Sequence, residues 1–287
     1  MMGEMDGKTV LITGATNGIG KAAAMELAKK GATVVIVGRN PAKTTETVAE
    51  IKAGSGNANV DMIVADLSSM AEVRKVAEAF KAKQSRLDVL INNAGGVFTT
   101  RQETVDGYEM TFAFNHLAYF LLTNLLLDML KASAPSRIIS VSSGAHSSGR
   151  INFDDINAKN GYGMNTYGDS KLANLLFTYE LARRLEGSSL TANALHPGFV
   201  ATGFGSNTKG LMKFAIGLLK PFMLKPEQGA DTVVYLASSP QVEGINGKYW
   251  YKRKAIPSSP ASYDEAAQKR LWEISEQMTG LAETATV

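Results

Sequence analysis

Short apolar runs rich in β-branched residues recur along this chain, and helical patterns separate them. The strand-like runs are 8–13, 32–37, 59–65, 87–92, 136–142, 190–196 and 247–251. The helical patterns cover 18–30, 41–53, 69–83, 105–131 and 166–186. Near-continuous apolar strands that alternate with helices predict a parallel sheet with helices on both faces. Because no repeat or linker composition interrupts the 287 residues, we predict a single α/β domain with a doubly wound, mainly parallel, seven-stranded sheet.

The composition excludes several kinds of chemistry. The sequence has no cysteine, which excludes disulfides, thiolate metal sites and cysteine nucleophiles. Three histidines, His116, His146 and His196, are too few and too scattered for a metal site, so we predict none. The formal net charge of +3 is small and dispersed, which argues against a nucleic-acid partner.

The apolar content of the sequence is distributed as in a soluble protein. No signal peptide precedes the first strand, and the most apolar stretch, 117–130, contains Asn124 and Asp128 and is too short to span a bilayer. That stretch predicts a buried helix. We therefore expect a cytoplasmic protein without a membrane anchor.

A glycine-rich turn joins the first strand to the first helix. In "VLITGATNGIG" (10–20) the glycines are Gly14, Gly18 and Gly20. Small residues let a backbone approach a pyrophosphate, and a helix N-terminus offers free N–H groups and a positive dipole end. We favour phosphate binding here, with a tight strand-to-helix connection and no ligand as the alternative.

The end of the second strand distinguishes between the two nicotinamide dinucleotides. An NAD site places a carboxylate there for the ribose 2′-hydroxyl, whereas an NADP site uses an arginine for the 2′-phosphate. This chain has Gly38, Arg39 and Asn40 and no carboxylate at that point. We therefore predict NADP(H), with a solvated loop cation as the alternative interpretation of Arg39.

A tyrosine and a lysine lie one helical turn apart in "YGDSKLAN" (167–174). Residues at positions i and i+4 are neighbours on a helix, so Tyr167 and Lys171 can interact. A positive charge near a phenol favours the phenolate and lowers the phenol pKa. The pair is a candidate acid/base device, although by itself this spacing is also common on surface helices.

Four stretches in this order resemble the classical short-chain dehydrogenase/reductase family: "TGATNGIG" (13–20), "NNAG" (92–95), "SVSS" (140–143) and "YGDSK" (167–171). Two further matches are "ADL" (65–67) and "HPGFVAT" (196–202). The resemblance covers nearly the whole chain, and it implies one Rossmann domain over 1–287 and a nicotinamide-dependent oxidoreductase.

The resemblance also implies roles for four catalytic residues. Tyr167 would be the general acid in reduction and the base in oxidation, and Lys171 would lower its pKa and hold the nicotinamide ribose. Ser143 would orient the substrate oxygen, with Ser142 the weaker candidate for that role. Asn115 would complete a water-linked proton relay with Lys171.

The cofactor site implied by the resemblance is spread over the strand ends. Asp66 would bond the adenine, Asn93 and Gly95 would flank the cofactor, and Pro197 and Gly198 would lie at the nicotinamide. The whole predicted set is Gly14, Thr16, Asn17, Gly18, Ile19, Gly20, Arg39, Asn40, Asp66, Leu67, Asn93, Ala94, Gly95, Tyr167, Lys171, Pro197, Gly198, Val200 and Thr202.

Four polar residues outside this set are interpreted as structural. Ser170 and Asn174 are expected to pack or cap locally, and the sequence explains His146 and His196 adequately without a role in the site. Tyr162 could touch substrate or lie exposed on the surface.

Within the family the chain is similar to the retinol-dehydrogenase-like branch. The resemblance rests on the long interval from Ser143 to Tyr167, on "YGDSKLANLLFTYELARRL" (167–185) and on "RLWEISEQMTGL" (270–281). It implies NADP(H) and lipophilic aldehydes, ketones or alcohols. Retinoid itself is not favoured as the substrate, because animal retinol dehydrogenases commonly carry a membrane anchor and we expect none in this chain.

Two later segments are predicted to complete the domain. The apolar insertion 203–225 fits a substrate lid, with a helix pair packed on the body or an oligomer contact as alternatives. Its apolar side chains are Phe204, Leu211, Met212, Phe214, Phe222 and Met223. Residues 262–281 are predicted to form a C-terminal helix or tail.

Two other functions stay open from the sequence. One is a light-driven double-bond reductase similar to protochlorophyllide reductase, which the absence of cysteine disfavours. The other is a dinucleotide-binding regulator without turnover, which the presence of the serine, tyrosine and lysine disfavours. Because family members pair through two long helices, here 105–131 and 166–186, the resemblance also implies a homodimer or homotetramer.

Overall fold

The computed structural model describes residues 3–163, 165–200 and 223–281. Most of the predicted lid, including Phe204, Leu211, Met212, Phe214 and Phe222, lies outside the described residues, as does Thr202. Met223 is described, and the chain continues from it into a helix.

Strands and helices alternate along the described chain. The first half contains β1 Thr9–Thr13, α1 Gly18–Lys29, β2 Thr33–Gly38, α2 Pro41–Ser55, β3 Val60–Val64, α3 Met70–Lys83, β4 Val89–Asn92 and α4 Met110–Ala132. The second half contains β5 Ser136–Val141, α5 Asn165–Arg184, β6 Leu190–Leu195, α6 Pro226–Ser238, β7 Tyr249–Tyr251, β8 Lys254–Ile256 and α7 Glu265–Thr279. The predicted C-terminal helix is α7.

The eight strands found in the described residues form one sheet in the order β3-β2-β1-β4-β5-β6-β7-β8. Strands β1 to β7 pair in parallel, and only β8 runs antiparallel to its neighbour β7. The order reverses between β1 and β4, which creates the crevice where doubly wound sheets bind ligands. The doubly wound, mainly parallel α/β fold is thus confirmed.

The predicted number of seven strands is wrong by one, because the chain turns back after β7 in a tight hairpin. The two turn residues, Lys252 and Arg253, have φ values of 48° and 60°. Such turns usually contain glycine or asparagine at these positions, so the sequence carries no signal for this one. Here Arg253 is held instead by Thr232, whose Oγ1 accepts from its backbone N–H at 3.2 Å, and by an ion pair with Asp231.

Each face of the sheet is covered by a layer of helices. Val10 and Ile12 of β1 pack into one apolar cluster with residues of α1 and α6, whereas Leu11 packs into the other with residues of α3, α4, α5 and α7. Among the described residues, α4 is the one helix long and apolar enough to cross a membrane, and most of it is buried in this second cluster. The apolar stretch 117–130 is thus a core helix of the fold.

Helix α7 packs on α4 and α5. Trp272 places its ring centroid 4.9 Å from that of Phe120 on α4 and 5.8 Å from that of Phe177 on α5. The Arg184 guanidinium carbon lies 4.0 Å from the centroid of the Trp272 ring. Ser275 Oγ on α7 is 2.9 Å from His116 Nε2 on α4. Helix α7 therefore occupies part of the face through which the resemblance implied that two chains would pair.

Candidate active site

A π-helical turn, Ala113–Leu117, interrupts α4 and contains Asn115. Single π turns inside α-helices are frequent at functional sites. The Asn115 side chain is fully buried; its Oδ1 accepts from Gly96 N at 2.8 Å, and its Nδ2 donates to Gly96 O at 3.0 Å and to Ser170 Oγ at 2.9 Å. The amide therefore holds the loop after β4 against α5.

Lys171 is buried at the carboxyl end of β5. Its Nζ donates to Val141 O at 3.1 Å and lies 5.7 Å from the ring centroids of both Tyr167 and Tyr119. A Cβ at Gly95 would come within 3.2 Å of this Nζ, so that glycine leaves the ammonium group room. Burial lowers the pKa of Lys171 to about 7.

Ser143 and Tyr167 meet above this lysine. Ser143 caps the short helix Gly144–Ser148, where its Oγ accepts from Ala145 N at 3.2 Å, and its side chain also forms a hydrogen bond with that of Tyr167. The neighbouring Ser142 is buried, and its Oγ donates to Lys171 O at 2.8 Å. The structure therefore brings Ser143, and not Ser142, to the tyrosine.

The pKa of Tyr167 differs from the expectation that Lys171 lowers it. Burial raises the pKa of the phenol to about 12, and the hydrogen bond with Ser143 opposes only part of that shift. Lys171 is itself desolvated and loses its charge near neutral pH. In the protein alone the expected lowering is therefore wrong, and Tyr167 stays protonated in neutral solution.

The glycines of the first turn are required by packing within the chain. Gly14 has φ 66°, and a Cβ on it would lie 2.7 Å from Ala94 Cα. A Cβ on Gly20 would lie 2.5 Å from Asn93 Nδ2, which donates to Thr13 O and to Gly14 O. These contacts join the turn to the end of β4. The sequence predicts that a pyrophosphate approaches the backbone at Gly14 and Gly20, but the groups that approach these two glycines are Ala94 and Asn93.

The N-terminus of α1 retains the features of an anion site. Asn17 is exposed and extended, with φ −160°, and its side chain makes no cap hydrogen bond. The first turn, which begins at Gly18, contains no acidic residue. Thr16 and Ile19, the other predicted members, are half-buried beside it. The helix end therefore offers N–H groups and positive potential to a phosphate.

Arg39 and Asp66 meet where β2 and β3 end. The Arg39 side chain is 79% exposed, with its Nη1 3.6 Å from Asp66 Oδ2. The other carboxylate oxygen, Asp66 Oδ1, accepts from Ser68 N and Ser68 Oγ. Asn40 Oδ1 caps α2 by accepting from Lys43 N at 3.0 Å, which is a structural role, and Leu67 is buried. Arg39 is thus free to turn toward a phosphate at the cost of one long, exposed ion pair.

The residues after β6 approach the start of α6. Gly198 has φ 85°, and a Cβ on it would lie 2.8 Å from Leu224 Cδ1, so the position demands glycine. Pro197 precedes it, half-buried. Val200 is buried, and a Cβ on Gly229 would lie 2.6 Å from its Cγ2. Its side chain therefore packs on α6.

Three residues interpreted as peripheral take part in the architecture of the site. Ser170 accepts from Asn115 and donates to Tyr167 O at 2.8 Å. Tyr162 is half-buried, and its hydroxyl donates to Phe98 O at 2.8 Å. His146 is buried beside Ser143. No spacing rule could have found the bonds from Asn115 to Ser170 and from Tyr162 to Phe98 O, because each joins segments that only the tertiary fold brings together.

A tyrosine that stays protonated beside a buried lysine, together with an uncapped helix N-terminus at the switch point of a doubly wound sheet, matches an oxidoreductase site that takes a nicotinamide dinucleotide. The short chain dehydrogenase family profile matches residues 8–211. The chain belongs to the short-chain dehydrogenase/reductase family, in its retinol-dehydrogenase-like branch.

Individual relatives agree with this placement. Retinol dehydrogenase 14 of Homo sapiens is 45% identical, in an alignment that covers 97% of this chain and 88% of the relative. Polyprenol dehydrogenase of Homo sapiens is 40% identical, with 96% and 86% covered. The RhlG/NADP active-site complex of Pseudomonas aeruginosa superposes with a TM-score of 0.70 at 27% identity, with 87% of this chain and 96% of that chain covered.

Proposed function

We propose that this protein is an NADP(H)-dependent oxidoreductase that transfers a hydride between the nicotinamide and a lipophilic aldehyde or ketone, or the corresponding alcohol. The observation that carries the proposal is the hydrogen bond between the Ser143 and Tyr167 side chains, one turn from a buried Lys171. Two hydroxyl groups converge there at the carboxyl edge of the sheet, where a carbonyl oxygen can accept from both.

The residues of the chain supply position and a proton. When bound, the nicotinamide would donate or accept the hydride. Tyr167, with its pKa raised to about 12, is protonated at neutral pH and donates its proton to the carbonyl oxygen during reduction. Ser143 orients that oxygen by a second hydrogen bond. Asn115 keeps the loop after β4 in place through its two bonds to Gly96.

The preference for NADP(H) rests on Arg39. We expect Arg39→Ala to lower kcat/KM for NADPH by roughly 10- to 100-fold, since hydrogen bonds to a charged group contribute about 1.5–3 kcal/mol. The value for NADH should change little, because NADH lacks the 2′-phosphate. Arg270→Ala, which removes an exposed arginine paired with Asp154 on another part of the surface, is the matched control. Equal losses with both cofactors would contradict the role of Arg39.

The pKa values predict a pH profile. Lys171, whose pKa is about 7, is charged below that value and neutral above it, whereas Tyr167 stays protonated throughout. The charged ammonium group of Lys171 favours the phenolate that forms when Tyr167 gives up its proton. We therefore expect kcat/KM for carbonyl reduction to fall as the pH rises through about 7, with NADH as well as with NADPH. The free-enzyme pKa governs this parameter.

The assignment of that limb to Lys171 can be checked directly. The pKa values of His116 and His196 are lowered to about 3 and about 4, so neither ring titrates near 7. In Lys171→Arg the guanidinium keeps its charge, and the limb should disappear. A limb that persists in this variant would assign the titration to another group.

The lipophilic substrate is supported by the wall beside Asn115. Phe98 and Phe114 meet edge to face with their ring centroids 6.4 Å apart, and both lie against Gly96. Phe199 is 56% exposed on the loop after β6. Two relatives, retinol dehydrogenase 14 and polyprenol dehydrogenase, are named for long apolar alcohols.

A substrate panel tests the proposed function. NADPH oxidation would be followed with aldehydes of increasing chain length, aromatic aldehydes, retinal and cyclic ketones. We expect turnover, with kcat/KM rising with the apolar length of the substrate because buried apolar surface contributes about 25 cal/mol per Å². NADPH binding without turnover, both in the dark and under light, would favour the regulator, and turnover that requires light would favour the photoreductase.

A further inference from the structure

His146 lies in the short helix that follows Ser143, and no residue role assigned above involves its ring. We infer that His146 is a positioning residue that sets where the Ser143 hydroxyl stands relative to Tyr167. It does so by linking the Ser143 carbonyl to the segment that follows β8. The inference rests on the proposed function, because it concerns the same hydroxyl pair.

Both ring nitrogens of His146 have backbone partners. Its Nδ1 is 2.7 Å from Ser143 O, and its Nε2 is 3.1 Å from Ser259 N. Because Ser259 N–H can only donate, Nε2 accepts and carries no proton. The single proton of the neutral ring is therefore on Nδ1, which donates to Ser143 O. One backbone N–H thus selects the tautomer that holds the serine.

The ring is fixed on its other sides. His146 is only 5% exposed, and its ring meets that of Tyr249 on β7 edge to face with the centroids 4.9 Å apart. The Tyr249 hydroxyl is 3.3 Å from Nδ1. The ring therefore cannot move without displacing either Ser143 or Tyr249 on β7.

A chain of contacts connects this ring to the helix that contains Tyr167. Ser258, the neighbour of Ser259, has its Oγ 2.6 Å from the hydroxyl of Tyr179 on α5. Tyr167 lies on the same helix. The Ser143 backbone and the helix that contains Tyr167 are thus both attached to the segment after β8. His146 therefore fixes the position of the Ser143 hydroxyl relative to the Tyr167 hydroxyl.

Protonation of His146 would break this arrangement. An imidazolium would point an Nε2 proton at the Ser259 N–H, so the accepted hydrogen bond favours the neutral ring. Burial lowers the pKa of His146 in the same direction. The titratable groups that face the ring are Tyr249 and His196; the pKa of His196 is itself lowered by burial and by His146. The described contacts of the ring include no carboxylate that would stabilise its charged form.

Two variants of His146 separate the two ring nitrogens. An asparagine can place an amide N–H near the Nδ1 position, whereas a glutamine reaches toward Nε2 and leaves Ser143 O without a donor. We expect His146→Asn to keep kcat within about threefold and His146→Gln to lose about tenfold or more, since small misplacements of catalytic groups cost up to 10²-fold. Affinity for NADPH should be unchanged in both.

The backbone donor can be removed without touching the histidine. An amide-to-ester exchange at Ser259, which replaces the backbone N–H by an oxygen and keeps the side chain, deletes the donor and adds no atom between the backbone and His146 Nε2. Because protonation of His146 would break the arrangement, kcat should fall at low pH as the ring becomes charged. Without the Ser259 donor the pKa of His146 should rise, so this fall should move to higher pH. Ser259→Ala keeps the N–H and is the matched control, which should retain the wild-type profile.

These measurements decide between a positioning role and a purely structural one. Equal kcat in His146→Asn and His146→Gln, or the same fall of kcat at low pH in the Ser259 ester and in Ser259→Ala, would overturn the inference. Wild-type protein without turnover on the panel would overturn the proposed function instead. In that case the ¹³C chemical shift of Tyr167 Cζ reports on the hydrogen bond with Ser143, because this shift responds to hydrogen bonding. An unchanged shift in His146→Gln would overturn the positioning role.

Discussion

Tyr167→Phe should abolish most carbonyl reduction, with kcat reduced by roughly 10²- to 10⁴-fold, the range that positioned general acids contribute. The phenylalanine keeps the ring beside Lys171 and Ser143 but has no proton to donate. NADPH affinity should be retained, because the features proposed to bind the phosphates are the N-terminus of α1 and Arg39. Steady-state kinetics together with fluorescence titration of NADPH separate these two effects.

Tyr162→Phe is the matched control for that experiment. It also removes one hydroxyl close to the site, but this hydroxyl donates to Phe98 O and has no part in proton transfer. We expect kcat within a few-fold of wild type, since a neutral hydrogen bond contributes only about 0.5–1.5 kcal/mol. A Tyr167→Phe enzyme as active as this control would sink the proposed chemistry.

Among the proposed substitutions, Trp272→Ala should lower the free energy of unfolding the most, by about 3–5 kcal/mol. The Trp272 side chain is 4% exposed, and the truncation removes its contacts with Phe120, Phe177 and the Arg184 guanidinium. It also leaves a cavity between three helices. Chemical denaturation with urea, followed by circular dichroism, gives the change in free energy.

The control for this substitution lies on the same helix. Glu273 is exposed, so Glu273→Ala should change the free energy of unfolding by less than about 0.5 kcal/mol. Trp272→Phe, which fills part of the space, should fall between the two. If Trp272→Ala unfolded like Glu273→Ala, the packing of α7 on α4 and α5 would be refuted.

The fold was predictable because its signals are local. The strand and helix periods placed seven of the eight strands and the five helices α1 to α5 to within a few residues. The missed strand, β8, depends on a turn whose positive φ values fall on Lys252 and Arg253, residues that usually avoid them. Tertiary contacts with Asp231 and Thr232 support that turn, and they are invisible to local pattern.

The site was predictable in its members more than in its electrostatics. The order of the short motifs selected Asn115, Ser143, Tyr167 and Lys171, which the structure brings together at the carboxyl edge of the sheet. The direction of the Tyr167 pKa was not predictable, because burial acts on both partners and only the fold determines it. The same holds for His146, whose partner Ser259 is more than one hundred residues away in sequence.

The position of α7 on the chain gives biosynthesis a specific order. Every strand of the sheet emerges from the ribosome before α7 does, so Phe120, Phe177 and His116 have no cover while the rest of the domain is already being assembled. The nascent protein must hold an apolar surface in solution during that interval, and exposed apolar surface favours aggregation. The synthesis of α7 is therefore the step at which chaperone binding to this surface should end.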